Sequence, residues 1–172
     1  MRKVILLGYM GCGKSTIAEK VSQKIQIPFV DLDKIIENKA NLTINQIFET
    51  FGEVYFRKLE HDVFIELLNA PESQIIGLGG GTPCYANNHE LLNGEGVTSI
   101  YLKASVETLF NRLVHNKSKR PIVANKTEEE LKEFIAKHLF DRSFYYHQAQ
   151  HIVSVDQQSV EETVTAILNI LA

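Results

Sequence analysis

The chain contains no tryptophan, only two cysteines and only four prolines in 172 residues. Cys12 and Cys84 sit in neither a CxxC nor a CxxH spacing. That excludes a disulfide framework and a zinc finger, and it fits a reducing compartment. An excess of charge is missing too. Eighteen Lys+Arg stand against 21 Asp+Glu, for a formal charge of −3. The chain therefore lacks the broad basic surface from which affinity for duplex DNA comes. Long apolar runs are absent. Met1-Arg2-Lys3 before Val4 to Leu7 imitates the start of a secretion signal, but the run ends at Gly8 and Lys14 follows, so no secretory core forms. Nothing approaches the ~20 apolar residues of a membrane-spanning helix. These absences predict a cytoplasmic protein without nucleic-acid or membrane partners, and with no interaction surface legible, a monomer. What is present, 44% hydrophobic and 23% charged residues, is an ordinary globular composition rather than a disordered one. The length suits one domain with its own core.

The hydrophobic pattern alternates between two periods. Val4 to Leu7, closed by Gly8, reads as a strand buried on both faces, followed by a helix from Lys14 to about Gln26 with Ile17, Val21 and Ile25 on one side. Phe29-Val30 leads into a second strand through Asp31-Leu32-Asp33. Residues 34 to 70 are helical in pattern, broken at Gly52, with Thr43 and Gln46 spaced as a capping box. Further strands are predicted at 73–78, 97–102 and 152–155. Further helices are predicted at 105–115, from Thr127 (with Glu130) through Leu139, and from Ser159 (with Glu162) to Leu171. Strands alternating with helices predict one α/β domain, a five-stranded parallel sheet with helices on both faces.

Gly8-Tyr9-Met10-Gly11-Cys12-Gly13-Lys14-Ser15 matches GxxxxGK[ST] between a buried strand and an amphipathic helix. In such a loop, successive backbone N–H groups point at phosphate oxygens and the helix N-terminus adds positive potential. Lys14 reaches the β/γ-phosphates and the Ser15 hydroxyl holds Mg²⁺. The loop says nucleotide, not reaction. A small-molecule kinase, a GTP-dependent switch and a non-catalytic nucleotide-binding module all remain. The switch lacks its DxxG segment, and Asn125-Lys126-Thr127-Glu128 ends in Glu where guanine reading needs Asp.

Other residues group around this loop. Asp31 and Asp33 are expected at the carboxyl end of the second strand, where open α/β sheets bind ligands, and on the same side of it. They are placed to serve Mg²⁺ and an acceptor hydroxyl, the alternative being a solvated turn with a helix-capping Asp. Arg57 and Glu60, three apart on a helix, are either a surface ion pair or an arginine fork for a substrate carboxylate held by Glu60. Gly79-Gly80-Gly81 is either a loose turn or a place where backbone N–H groups approach a substrate. Lys117, Lys119, Arg120 and Lys126 form a basic stretch, either a solvated loop or a flap over ATP. His147 and His151 have metal-ligand spacing without acidic company, and His61, His89, His115 and His138 form no cluster. Cys12 is a small loop residue or, at a helix N-terminus, an oxidation-sensitive thiol.

Together these residues resemble shikimate kinase, of the nucleoside-monophosphate-kinase-like P-loop type. The matching stretches are Gly8 to Ser15, Asp31-x-Asp33, Ile47-Phe48 through Gly52-Glu53 to Phe56-Arg57-x-x-Glu60, Gly79 to Gly81, Arg120-Pro121 and Arg142-x-x-Tyr145. The resemblance implies a single kinase domain over residues 1–172, with substrate-binding helices about 33–70 and a lid about 115–127. It implies ATP and shikimate as substrates and Mg²⁺ as cofactor. Asp33 would orient or deprotonate the attacking hydroxyl, and Lys14 and Arg120 would act on the transferring phosphoryl. Gly11, Cys12, Gly13, Lys14, Ser15, Thr16, Arg112 and Arg120 would bind the nucleotide, with Arg112 on the adenine. Arg57 and Arg142 would clamp the carboxylate beside Gly79, Gly80 and Gly81. Ser15 and, through water, Asp31 would serve the metal. The alternatives are another small-molecule kinase of this fold, such as a gluconate kinase, or a catalytically silent module. Arg57 and Arg142 with the triple glycine argue against the first. Intact Lys14, Ser15, Asp31, Asp33 and Arg120 argue against the second.

Overall fold

The computed structural model describes residues 2–116 and 123–172. Five strands, β1 (Lys3–Leu7), β2 (Phe29–Asp31), β3 (Gln74–Gly77), β4 (Val97–Lys103) and β5 (His151–Ser154), form one sheet in the order β2-β3-β1-β4-β5. Every pairing is parallel, as the alternation of strand and helix requires. Successive strand side chains point to opposite faces. The complete burial of β1 therefore means that both faces of the sheet centre are covered. Burying Val4, Ile5, Leu6 and Leu7 completely is worth about 1.5–3 kcal/mol each in apolar transfer. Lys3 is also buried, and its ammonium is satisfied by Glu72 O (2.7 Å) and Gln74 Oε1 (3.2 Å).

The helices are α1 (Lys14–Ile25), α2 (Leu32–Ala40), α3 (Ile44–Asn69), α4 (Val106–Val114), α5 (Glu128–Tyr146) and α6 (Val160–Leu171). Their starts follow local chemistry. Thr43, Thr127 and Ser159 each make both bonds of a capping box, and the Ser105 hydroxyl accepts from Thr108 N. Gly52 interrupts α3 at φ 84°, ψ 174°, a backbone state in which a Cβ would be strained. The stretch expected to be helical from 34 has one more break, at Asn41, which caps α2 in the left-handed conformation (φ 52°). Short 3-10 turns at Thr82–Cys84 and Asn88–Asn93 follow the three glycines.

One expectation is corrected. The second strand does not run through Asp33. It ends at Asp31, whose carboxylate accepts from Lys34 N (3.2 Å) and so starts α2 one residue later. Asp33 is therefore a first-turn helical residue, and strand alternation does not align it with Asp31. Because all strands are parallel, β1, β2 and β3 still deliver the P-loop, Asp31 and the three glycines to one sheet edge.

Candidate active site

At that edge lies a cavity of about 480 Å³, whose walls include the P-loop from Tyr9 to Thr16, Asp31, Asp33, Gly79, Gly80 and Arg112. Gly11 (φ 84°) and Gly13 (φ 90°) hold the P-loop in left-handed turns closed to side chains. The Lys14 ammonium folds back to donate to Gly8 O at 3.3 Å. Arg112 reaches from α4 to donate to Gly11 O at 3.1 Å. It also lines a second hollow of about 110 Å³ with Cys12, Thr16, Val155, Gln158 and Thr163. The residues of this hollow after β5 escaped the sequence reading. The rule that parallel sheets bind at their carboxyl ends is the signal that points to them.

Asp33 is the group most changed by its surroundings. Burial first, then the negative charges of Asp31 and Glu60, push its carboxyl up to about 6, against the pull of Lys14. Among the described residues no cation lies within ion-pairing distance of it. A carboxylate poised near neutrality in a cleft is equipped to accept a proton.

The three glycines stand against three separate charged side chains. A Cβ on Gly79 would lie 3.0 Å from Asp33 Oδ1, one on Gly80 2.9 Å from Arg142 Nη1, and one on Gly81 2.9 Å from Arg57 Nη2. The turn thus gathers Asp33, Arg142 and Arg57, which come from α2, α5 and α3. Arg57 is no surface ion pair. Its Nη1 donates at 2.9 Å to Glu60, which is 1% exposed, and the second Glu60 oxygen accepts from the Thr82 hydroxyl at 2.8 Å. Arg142 is steadied by Tyr146, whose hydroxyl lies 3.5 Å from Nη1 and donates to Gly80 O at 2.6 Å. The partner is Tyr146, one helical turn from Arg142, while its neighbour Tyr145 packs on His89. The i,i+4 rule carries that signal. Tyr9 was read only as a loop residue. It is buried, its ring lies 5.5 Å from the Arg142 guanidinium, and its hydroxyl is 2.9 Å from His138 Nδ1. Burial first, then Arg142, holds His138 below its ordinary range, so the imidazole is neutral.

Arg120, Lys117 and Lys119 lie outside the described residues, as does the middle of the expected lid, 117–122. Lys126 is described and sits 4.5 Å from the Phe134 ring centre. His147 is occupied at the end of α5, donating to Ser143 O at 2.7 Å.

A sequence profile of the family described as Shikimate kinase matches residues 10–172. The chain belongs to the shikimate kinase family. A curated shikimate kinase of Flavobacterium johnsoniae is 67% identical over 172 residues, all of both chains. One of Flavobacterium psychrophilum is 50% identical over 171 residues, 99% of each. Among solved structures, the shikimate kinase of Bacteroides thetaiotaomicron superposes with a TM-score of 0.91 at 34% identity, covering 99% of this chain and 98% of that one. The shikimate kinase of Acinetobacter baumannii in complex with shikimate gives 0.86 at 28% identity, covering 99% and 93%. The sheet order and P-loop described above are those of the nucleoside-monophosphate-kinase-like P-loop fold to which shikimate kinases belong. Among the described residues no helix is long and apolar enough to cross a membrane.

The two thiols are poorly placed for redox chemistry. Cys12, within the P-loop, is 1% exposed, and burial pushes the Cys84 thiol up to about 11. Iodoacetamide at neutral pH is expected to leave ATP turnover unchanged. Rapid alkylation of Cys12 with loss of activity, read by mass spectrometry, would refute the inert assignment.

Proposed function

We propose that this chain is an active shikimate kinase, transferring the ATP γ-phosphoryl to the 3-hydroxyl of shikimate to give shikimate 3-phosphate and ADP, on the route to chorismate and the aromatic amino acids. The observation that carries it is the single edge where a P-loop, a carboxyl raised to about 6 and two arginines meet around three glycines.

The roles follow from the chemistry. P-loop N–H groups from Gly11 to Thr16 and the Lys14 ammonium hold the phosphates, and Arg112 covers the adenine over the smaller hollow. Arg57 and Arg142 take the shikimate carboxylate, with backbone contacts from the turn Gly79 to Gly81, and so orient the ring. The Asp33 carboxylate accepts the proton of the 3-hydroxyl as that oxygen bonds to the γ-phosphorus and the bond to the ADP oxygen breaks. Arg120 reaches the transferring phosphoryl from the lid over about 115–127. The donor set suits Mg²⁺, because a hydroxyl and two carboxylates line the cavity, and Mg²⁺ is bound by one or two such groups together with water and substrate phosphates. Ser15 and, through water, Asp31 would hold it. Asp31 spends one oxygen on its cap to Lys34 N and keeps the other. When bound, the ion neutralises negative charge on the β- and γ-phosphates. The enzyme is taken to work as a cytoplasmic monomer, with core, substrate helices and lid in one domain.

The test is ADP release from ATP·Mg²⁺ with shikimate, gluconate, AMP or no acceptor. Release that depends on shikimate alone is expected. Activity with another acceptor alone would keep a kinase and overturn the substrate. ATP binding without turnover on any acceptor would favour a silent module.

A further inference from the structure

Three aromatic rings surround the Arg57 guanidinium, with centres 3.8 Å (Tyr85), 5.1 Å (Phe56) and 6.0 Å (Phe48) from its carbon. Only Tyr85 is at stacking contact, where a planar cation meets a ring face most favourably. Tyr85 belongs to none of the stretches that carry the family resemblance.

The chain accepts an unfavourable backbone to put it there. Ala86 (φ 50°) and Asn87 (φ 55°) are consecutive non-glycine residues in the left-handed region, a state that persists only where its surroundings over-determine it. Those surroundings are visible. Asn88 is fully buried, its Nδ2 donates to Thr82 O at 2.9 Å, and its Oδ1 accepts from His61 Nδ1 at 2.7 Å. Asn88 N closes the turn on Tyr85 O at 2.9 Å. Thr82 in turn donates to Glu60, and Glu60 accepts from Arg57. The path from Arg57 through Glu60, Thr82, Asn88 and Tyr85 back to Arg57 is a closed circuit, tied to α3 a second time by His61. With Nη1 engaged by Glu60, the edge formed by Nε and Nη2 meets the half-exposed Glu53 carboxylate, whose Oε1 lies 3.7 Å from Nε, beyond hydrogen-bond distance. Nη2 faces Gly81, and the buried Nε has no hydrogen-bond partner among the described residues.

We propose that Tyr85 is a positioning and specificity residue for the acceptor's carboxylate, stacking on Arg57 so that its Nε/Nη2 edge is set before the acceptor displaces the loosely held Glu53 from it. The inference rests on the reading above that Arg57 binds that carboxylate. A guanidinium already immobilised loses less freedom on binding. Its loosening therefore appears as weaker acceptor binding and leaves the phosphoryl-transfer step alone.

Steady-state kinetics on Tyr85→Ala, Tyr85→Phe, Arg57→Gln and the double variant Tyr85→Ala/Arg57→Gln test this. Tyr85→Ala is expected to raise KM for shikimate about tenfold, the order of a partly desolvated cation–π contact. Its kcat and KM for ATP should stay near wild type, and Tyr85→Phe should resemble wild type throughout. Arg57→Gln should raise the same KM further, with no additional rise in the double variant. Tyr85 is 39% exposed, so its loss is expected to leave the fold intact. If Tyr85→Ala fails to fold, Tyr85→Leu fills the space without a π face and should show the same rise. An unchanged KM for shikimate in a folded Tyr85 variant, beside a raised one in Arg57→Gln, overturns the role of Tyr85 alone. An unchanged KM in Arg57→Gln overturns the carboxylate reading and the inference with it.

Discussion

Asp33→Asn is expected to lower kcat by about 10²–10⁴ while making the substrate-free protein more stable at neutral pH. The two effects have one cause. The Asp33 carboxyl titrates at about 6 in the folded protein, against an ordinary 3.8, because burial and the neighbouring Asp31 and Glu60 oppose its charge. Between these values the folded chain binds a proton that the unfolded chain has released, so stability falls as pH rises from about 4 to 6 and stays reduced above. The cavity is open to solvent, which limits the cost at pH 7 to about 1–2 kcal/mol. Asparagine keeps the shape and removes the charge. Thermal melts should show the variant a few degrees above wild type at pH 7.5, with the gap closing toward pH 4. The same titration predicts that kcat/KM of the wild type falls as pH drops below about 6. Turnover of the asparagine variant within tenfold of wild type would remove Asp33 from the proton transfer. A wild-type melting curve unchanged between pH 4 and 6 would remove the electrostatic account.

What is legible in the sequence is what local chemistry determines, and the rest depends on contacts between distant residues. The P-loop is contiguous, and each position answers to a local need, so Gly8 to Ser15 could be assigned from spacing. Capping boxes at Thr43, Thr127 and Ser159 are equally local, and all three formed. Asp31 and Asp33 both line the P-loop cavity, though strand alternation is not what brings them there. The side chain of Asp31 competes for the backbone and ends the strand, which a period-two pattern does not register. Whether Arg57 and Glu60 were surface or site depended on burial, and the buried Glu60 accepts from Thr82, 22 positions away. Tyr146 carries no motif signal of its own, since only the helical turn shows which ring meets Arg142 and Gly80. The loop from Thr82 to Asn93 and the hollow after β5 were silent because their order comes from contacts distant in sequence.

Gly80→Ala and Gly81→Ala are each expected to raise KM for shikimate about 10- to 100-fold with little change in melting temperature. None of Gly79, Gly80 and Gly81 has a left-handed φ, so an alanine meets no backbone strain there. Loss of glycine freedom in the unfolded chain even favours the variants slightly. The cost is local. A Cβ 2.9 Å from Arg142 Nη1 or from Arg57 Nη2 forces a guanidinium aside. Losing one charge-assisted bond to a carboxylate costs about 1.5–3 kcal/mol, which sets the expected range. Gly79→Ala is different, because its Cβ would press on Asp33 Oδ1 at 3.0 Å and Thr82 Oγ1 at 3.1 Å. It should fall mainly on kcat. Kinetics on the three alanine variants with melts alongside separate two accounts of the triple glycine. A flexible turn would give three similar small losses. A template of missing side chains gives acceptor binding at positions 80 and 81 and turnover at 79, because at each position the empty volume belongs to a different functional group.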